Sequence, residues 1–234
     1  LGLAAILRFY GIDWGTNPNT GNFHRFHPDE TTVINAAGDF AIRGERTNIP
    51  YGKIPVYTLG IIARITGALT GTTPFDTTDN SSLYFTYVTA RSISALLSTL
   101  TIWIVFAIGN RLGGFWIGLG SALLLTFSPA HIQQSHFYTA DTTFTFWASL
   151  SLLLTLRLPS DRLLPYALCG IVYGLATGTR LTGIFLSIPF IVVHFISSTN
   201  ETKDLLTIFK KGLQILYRPV TLAITLLAAA LFTF

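Results

Sequence analysis

The stretch LYFTYVTARSISALLSTLTIWIVFAIG, residues 83–109, constrains the chain more than any other, because its only charged residue is Arg91. About 20 apolar residues in a helix cross the ~30 Å hydrocarbon core of a bilayer, and this run is long enough to cross with tilt. Inside lipid every backbone N–H and C=O must be bonded within the protein, so a segment of this kind spans as a helix. Other apolar runs follow: FWIGLGSALLLTFSP (115–129), TTFTFWASLSLLLTL (142–156), LLPYALCGIVYGLATGT (163–179), LTGIFLSIPFIVVHFI (181–196), and one that starts near Pro219. The expected fold class is all-α, a polytopic transmembrane helical bundle. Composition agrees, with half of the residues hydrophobic and only 11% charged, against about 25% in soluble domains. The net charge of +4 is too small to argue for nucleic acid, so no nucleic-acid partner is expected. Cys169 is the only cysteine, so no intrachain disulfide can form.

Three regions are expected. Residues 1–9 read as the end of a first span. Residues 10–82 form a large extracytoplasmic loop with juxtamembrane helices, and hold seven of the eleven acids. Within that loop, 54–69 is apolar but interrupted by Arg64, as a helix lying in the interface would be. Residues 83–234 form a bundle of about six spans. Apolar residues at both ends, and the lack of any Met, suggest a piece of a longer protein with further spans. Basic residues mark cytoplasmic loops. The turns with Arg111, with Arg157 and Arg162, and with Lys203, Lys210, Lys211 and Arg218 fall on one side, which is therefore cytoplasmic. Arg8 and Arg180 are exceptions on the outer side, and Arg91 lies near it. If 54–69 spanned instead, the Lys-rich 197–218 segment would lie outside, against the charge rule. Asn200 opens an N-E-T sequon that this topology places in the cytoplasm.

The most polar knot, FHRFHPDET (23–31), falls in the outer loop and carries His24, His27, Asp29 and Glu30. Pro28 biases His27 towards an extended backbone. TTVINAAGDFAIRG (31–44) then reads as an amphipathic helix that Asp29 or Thr31 could cap. The same carboxylate, held just above the membrane, could serve as a general base. SHFYTADTT brings His136, Tyr138 and Asp141 to the outer face, where Asp141 either caps the next span or supplies a second acid. Two carboxylates converging from separate loops would suit acid/base work on a sugar, or a divalent metal. No cofactor and no metal ligand are assigned. Arg180, in GLATGTRLTG, either holds a phosphate through its planar fork or snorkels to the interface. Arg91 and Lys53 are weaker candidates for the same task. His194 reads as structural and His24 as solvated.

Taken in order, several segments resemble one family. RFHPDE in the first outer loop, IPYGKIPVYTLGIIARITG, YVTARSISALLSTLTIWIVFAIGNRLGG, LTFSPAHIQQSHFYTADTTFTFWASLSLLL and GIVYGLATGTRLTGIFLSIP are similar to the N-terminal part of polytopic C-type glycosyltransferases. The closest likeness is to the protein O-mannosyltransferase and aminoarabinose transferase group. Two departures stand out: Ile54-Pro55 offers one proline where the family often has two, and Arg180 stands where Lys is usual. The resemblance implies an inverting transfer of a sugar from a polyprenyl-phosphate donor to a protein or lipid acceptor. The protein would be a multi-pass membrane protein, expected in a bacterial cell membrane, with its active site on the extracytoplasmic face. Asp29 would be the catalytic base, with Glu30 in support and Asp141 as the second acid. Arg180, with Arg91 and Lys53, would hold the lipid phosphate, and His27, His136 and Tyr138 would contact substrate. The expected partners are the lipid-linked donor, membrane lipid, the acceptor and other membrane subunits. A non-catalytic membrane subunit of a larger complex is the alternative. A transporter ranks below it, because no internal repeat is visible and the acids gather in loops rather than in spans.

Overall fold

A computed structural model describes residues 1–15, 17, 24, 26–44, 52–158 and 163–197. Asn200, the lysines at 203, 210 and 211, Arg218, the run from Pro219, Arg162 and the side chain of His194 lie outside the described residues. Among the described residues there is no β-strand, so the all-helical class holds. The chain divides into two compact units, Leu1–Phe146 and Trp147–Phe234.

The first unit contains α1 (Gly2–Phe9), α2 (Pro28–Arg43), α3 (Ile54–Thr70), α4 (Asn80–Gly113), α5 (Phe115–Thr126), α6 (Pro129–Ser135) and the start of α7 (Ala140–Thr155). At 1.5 Å per residue, α4 is about 51 Å long, more than a bilayer core requires. Asp79 starts it by accepting the N–H groups of Ser81 and Ser82 at 3.2 and 3.0 Å. This is the side-chain cap that the exposed donors of a helix N-terminus need. Among the described residues, α4 is the one helix long and apolar enough to cross a membrane, and α5 with α6 qualify only as a pair bent by 62°. Leu96, Leu100 and Trp103 on α4, with Trp116 and Leu124 on α5, are exposed and apolar, as a lipid-facing surface would be.

Gly114 joins α4 to α5 with φ +83°, in the left-handed region that favours glycine. The two helices then run back along each other in close contact. A Cβ on Gly118 would lie 2.7 Å from the Phe106 carbonyl oxygen and 2.8 Å from the Asn110 nitrogen, both backbone atoms that cannot step aside. Gly118→Ala is therefore expected to cost about 1–3 kcal/mol. Thermal melting in detergent reads this, and an unchanged melting temperature would sink the close-packed hairpin.

The core of the first unit lies where α2, α3 and the first half of α4 meet. Val33, Ala37, Val56, Leu59, Ala63, Tyr87, Ala90 and Tyr138 are buried together there. Phe75 reaches this core from the loop before α4, at φ +68°, with its N–H donated to Thr86 Oγ1 at 3.0 Å.

The structure corrects three local expectations. α2 begins at Pro28, and its cap is His27, not Asp29 or Thr31. Proline suits the first helical position, where its missing N–H would have no partner anyway. The polar stretch 130–141, which reads as a loop between the apolar runs 115–129 and 142–156, contains most of α6, because Pro129 opens a new helix after α5. In the second unit, α8 (Leu163–Thr179) is followed by a 3₁₀ helix (Leu181–Leu186) before α9 (Ser187–Ser197). There Gly183 approaches the Thr177 backbone so closely that a Cβ would meet its nitrogen at 2.7 Å, and Tyr173 donates its hydroxyl to the Ile184 carbonyl at 3.2 Å. Leu158, Tyr166 and Cys169 form the small core of this unit.

Candidate active site

His27 is extended (φ −119°, ψ 116°), and its Nδ1 accepts the Asp29 N–H at 3.2 Å. The next two carboxylates leave the helix about 100° apart and meet different surroundings. Asp29 is half-exposed in the first turn of α2, whereas Glu30 is fully buried.

Glu30 is gripped from two directions. Arg91 donates Nε to Oε1 at 2.9 Å and Nη2 to Oε2 at 3.0 Å, a two-pronged pair. The Tyr138 backbone N–H adds a third bond to Oε1 at 3.1 Å. Arg91 is itself fully buried. Its Nη1 donates to the carbonyls of Trp14 at 2.7 Å and Ile12 at 3.3 Å. Its guanidinium carbon lies 5.3 Å from the centre of the Trp14 ring and 5.6 Å from that of Tyr87, within cation–π range. One arginine on the long helix thus fastens the start of α2, the 12–14 segment and, through Glu30, the strip leading into α7.

Tyr138 belongs to the same fastening. Its hydroxyl donates to the Pro55 carbonyl at 2.7 Å, and burial pushes the phenol well above the usual tyrosine range, so it remains a donor. Tyr138→Phe is expected to lose about 1 kcal/mol, one buried hydrogen bond, read as thermal melting in detergent. An unchanged melting temperature would remove the hydroxyl from the fastening. His136 bridges carbonyls, with Nδ1 2.8 Å from Ile132 O and Nε2 3.0 Å from Tyr10 O. His27 packs on Phe137 at 4.9 Å, and Trp14 stacks on Phe26 at 4.8 Å and meets Phe137 edge-on at 5.3 Å. Aromatic rings therefore wall the approach to the α2 start.

Asp141, half-buried in the first turn of α7, lines a cavity of about 260 Å³ with Ser98, Ser128, His131, Gln134 and Thr142. It lies three residues beyond Tyr138, so the Glu30 clamp positions its segment too. Lys53 is half-exposed immediately before α3. Arg180 is half-exposed in the second unit, at the extended residue (φ −145°) between α8 and the 3₁₀ helix. The structure thus gathers Asp29, Glu30, Arg91, His27, His136 and Tyr138 around the start of α2. Among the described residues, no three His, Cys, Asp or Glu side chains come together as a metal site would need.

Arg8 is the residue whose setting the sequence does not reveal. It is fully buried on α1. Its Nε donates to Ser98 Oγ at 3.0 Å, its Nη1 to the Ala4 carbonyl at 3.1 Å and its Nη2 to the Leu125 carbonyl at 3.2 Å and to His131 Nδ1 at 2.7 Å. Leu125 sits at the C-terminal end of α5, where the negative end of the helix dipole attracts a cation. Its signal in the sequence is a lone charge in an apolar run.

No curated protein and no solved structure matches the chain. The model of a family of membrane glycosyltransferases does match, from the residue that follows Ser82 to close to the last residue of the sequence. That match covers residues 83–232, well over half of the chain, so the chain belongs to the dolichyl-phosphate-mannose-protein mannosyltransferase family.

Proposed function

We propose that this protein transfers a sugar from a polyprenyl-phosphate donor to an acceptor hydroxyl at the extracytoplasmic face of a membrane, with inversion. The observation that carries the reading is the unequal fate of two adjacent carboxylates. Glu30 is consumed by Arg91 and the Tyr138 N–H, and that clamp holds its neighbour Asp29 half-exposed at one place. Asp29 is the base. It takes the proton of the acceptor hydroxyl as that oxygen attacks the anomeric carbon. The bond from this carbon to the phosphate oxygen breaks, and the lipid phosphate leaves with the electron pair. Lys53 neutralises the leaving phosphate, the electrostatic part of catalysis. Arg91 and Glu30 act as positioning residues, since neither offers exposed surface to a substrate. His136 and Tyr138 share that role, and His27 sets the Asp29 backbone. Asp141 stands as the second acid. The orientation rests on the charge rule, with exposed Arg111 and Arg157 at helix ends as the cytoplasmic marks.

The test is transfer by the intact protein in membranes, using radiolabelled polyprenyl-phosphate sugars and following loss of sugar from the lipid. Turnover of at least one donor is expected. A folded wild type that turns over none of a panel of donors would overturn the reading in favour of a non-catalytic membrane subunit.

A further inference from the structure

A helix N-terminus needs acceptors for its first N–H groups, and serine, threonine, asparagine or aspartate usually supplies one. Those side chains keep their lone pairs throughout the range around neutral pH. α4 follows the rule, with Asp79 accepting from Ser81 and Ser82. α2 does not. Its cap is a histidine, and the N–H that this cap receives belongs to Asp29.

An imidazole nitrogen accepts only while it keeps its lone pair. The 3.2 Å contact from the Asp29 N–H to Nδ1 therefore fixes His27 as a neutral ring with its proton on Nε2. Pro28 has no N–H, so the Asp29 N–H is the first donor of the helix. The Thr31 N–H reaches the His27 backbone carbonyl at 3.4 Å and does not depend on the ring. A second proton on the ring would set an N–H on Nδ1 against the N–H of Asp29. It would also put a positive charge at the positive end of the helix dipole. Both effects open the cap. The charged and titratable groups around the ring act on the second effect alone. Asp29 and Glu30 lie on α2 itself, and Glu30 is matched by Arg91 of α4. His24 lies on the segment before the cap and Asp13 beside Trp14. His136 is next to Phe137, whose ring packs on His27 at 4.9 Å. No neighbouring charge returns a lone pair to Nδ1.

We propose that His27 is a positioning residue that holds Asp29 only while its ring is neutral, so that acidification of the extracytoplasmic face releases the base from its place. Histidine ordinarily changes charge between about pH 5 and 8, whereas carboxylates ordinarily titrate near pH ~4. Glu30 stays clamped by Arg91 through this window, so α2 keeps its fold and the change is confined to its first turn. The effect on transfer is geometric, since a misplacement of about 1 Å can cost ~10²-fold. That effect rests on the transferase reading; the cap itself does not.

Two readouts of the intact protein separate the cap from the chemistry: backbone amide exchange over the first turn of α2 in nanodiscs, and release of labelled sugar from dolichyl phosphate mannose in membranes. Both are taken at pH ~7.5 and ~5.5, on either side of the ordinary histidine range. His27→Asn supplies a cap that accepts at both values, and His27→Ala supplies none. Wild-type exchange, corrected for the intrinsic effect of pH, is expected to match His27→Asn at the higher pH and His27→Ala at the lower. Wild-type transfer is expected to fall about tenfold across the window, the change in the neutral fraction of an ordinary histidine. In His27→Asn the ratio of the two rates is expected to stay near one. His27→Asp, a second cap that keeps its lone pairs, should behave as His27→Asn does. Wild-type exchange that ignores pH, or that follows pH equally in His27→Asn, would overturn the cap as a switch. An acid fall in transfer that both capping variants keep would overturn it too, because another group, Asp29 included, would then be titrating. A cap that opens while wild-type transfer stays level would overturn His27 as a positioning residue. A cap that opens with acid in a protein that turns over no donor at either pH would overturn the transferase reading and uphold the switch.

Discussion

Asp29→Asn is expected to lower sugar transfer by at least the ~10²–10⁴-fold that a positioned base contributes, while the protein inserts, folds and melts as wild type does. The two halves of this expectation have separate causes. Asparagine keeps the size of the side chain and the backbone N–H that binds His27 Nδ1, so the start of α2 has no reason to move. It cannot accept a proton from an acceptor hydroxyl, so the attacking oxygen stays neutral and a poor nucleophile. Transfer is read as label leaving the polyprenyl phosphate, and folding as thermal melting in detergent. Donor binding should survive, because the lipid phosphate is assigned to Lys53. A variant that transfers at the wild-type rate removes Asp29 from the reaction. A variant that fails to fold places Asp29 beside Glu30 in the scaffold.

The helices were legible because lipid or a core imposes simple rules on long apolar runs. Residues 83–109 declare α4, and GLATGT before Arg180 declares the end of α8. Details set by single residues were harder to read. The apolar run 115–129 ends at Ser128-Pro129, and the short helix α6 begins there, where polarity suggests only a loop. At the site, Asp29-Glu30 reads as one acidic patch, and sequence cannot say which carboxylate is buried. That depends on which side of α2 faces α4, a matter decided by Arg91, 61 positions away. Arg91 stands out as a charge inside an apolar run. It reads equally well as a ligand for phosphate, and only the distance to Glu30 distinguishes the two. Arg8 illustrates the same limit more sharply, with partners 90 and 117 positions off at Ser98 and Leu125.

The Glu30–Arg91 pair carries the second large expected effect. Bringing both charges into the interior sacrifices their hydration, and their mutual attraction returns only part of it, so the intact pair contributes little net stability. Removing one partner is a different matter. Arg91→Met leaves a carboxylate buried with the Tyr138 N–H as its only remaining donor among the described bonds, and Glu30→Gln leaves a guanidinium without its counter-charge. Each is expected to cost about 3–5 kcal/mol, a large share of the ~5–15 kcal/mol that holds a typical domain together. The double variant Glu30→Met with Arg91→Met should recover much of that loss, so a double-mutant cycle reports strong coupling. Arg91→Lys belongs with the damaging variants, because an ammonium cannot reproduce the two parallel bonds at 2.9 and 3.0 Å. Measured by melting in detergent, additive losses would mean that the pair is not closed in the membrane. An Arg91→Met protein that melts as wild type does but no longer retains polyprenyl phosphate would move Arg91 from the scaffold to the donor. The clamp explains why a damaged Arg91 should also reduce transfer. Glu30 would drift, α2 would lose its fixed start, and Asp29 would no longer meet the acceptor at the reacting carbon, where a misplacement of about 1 Å can cost ~10²-fold.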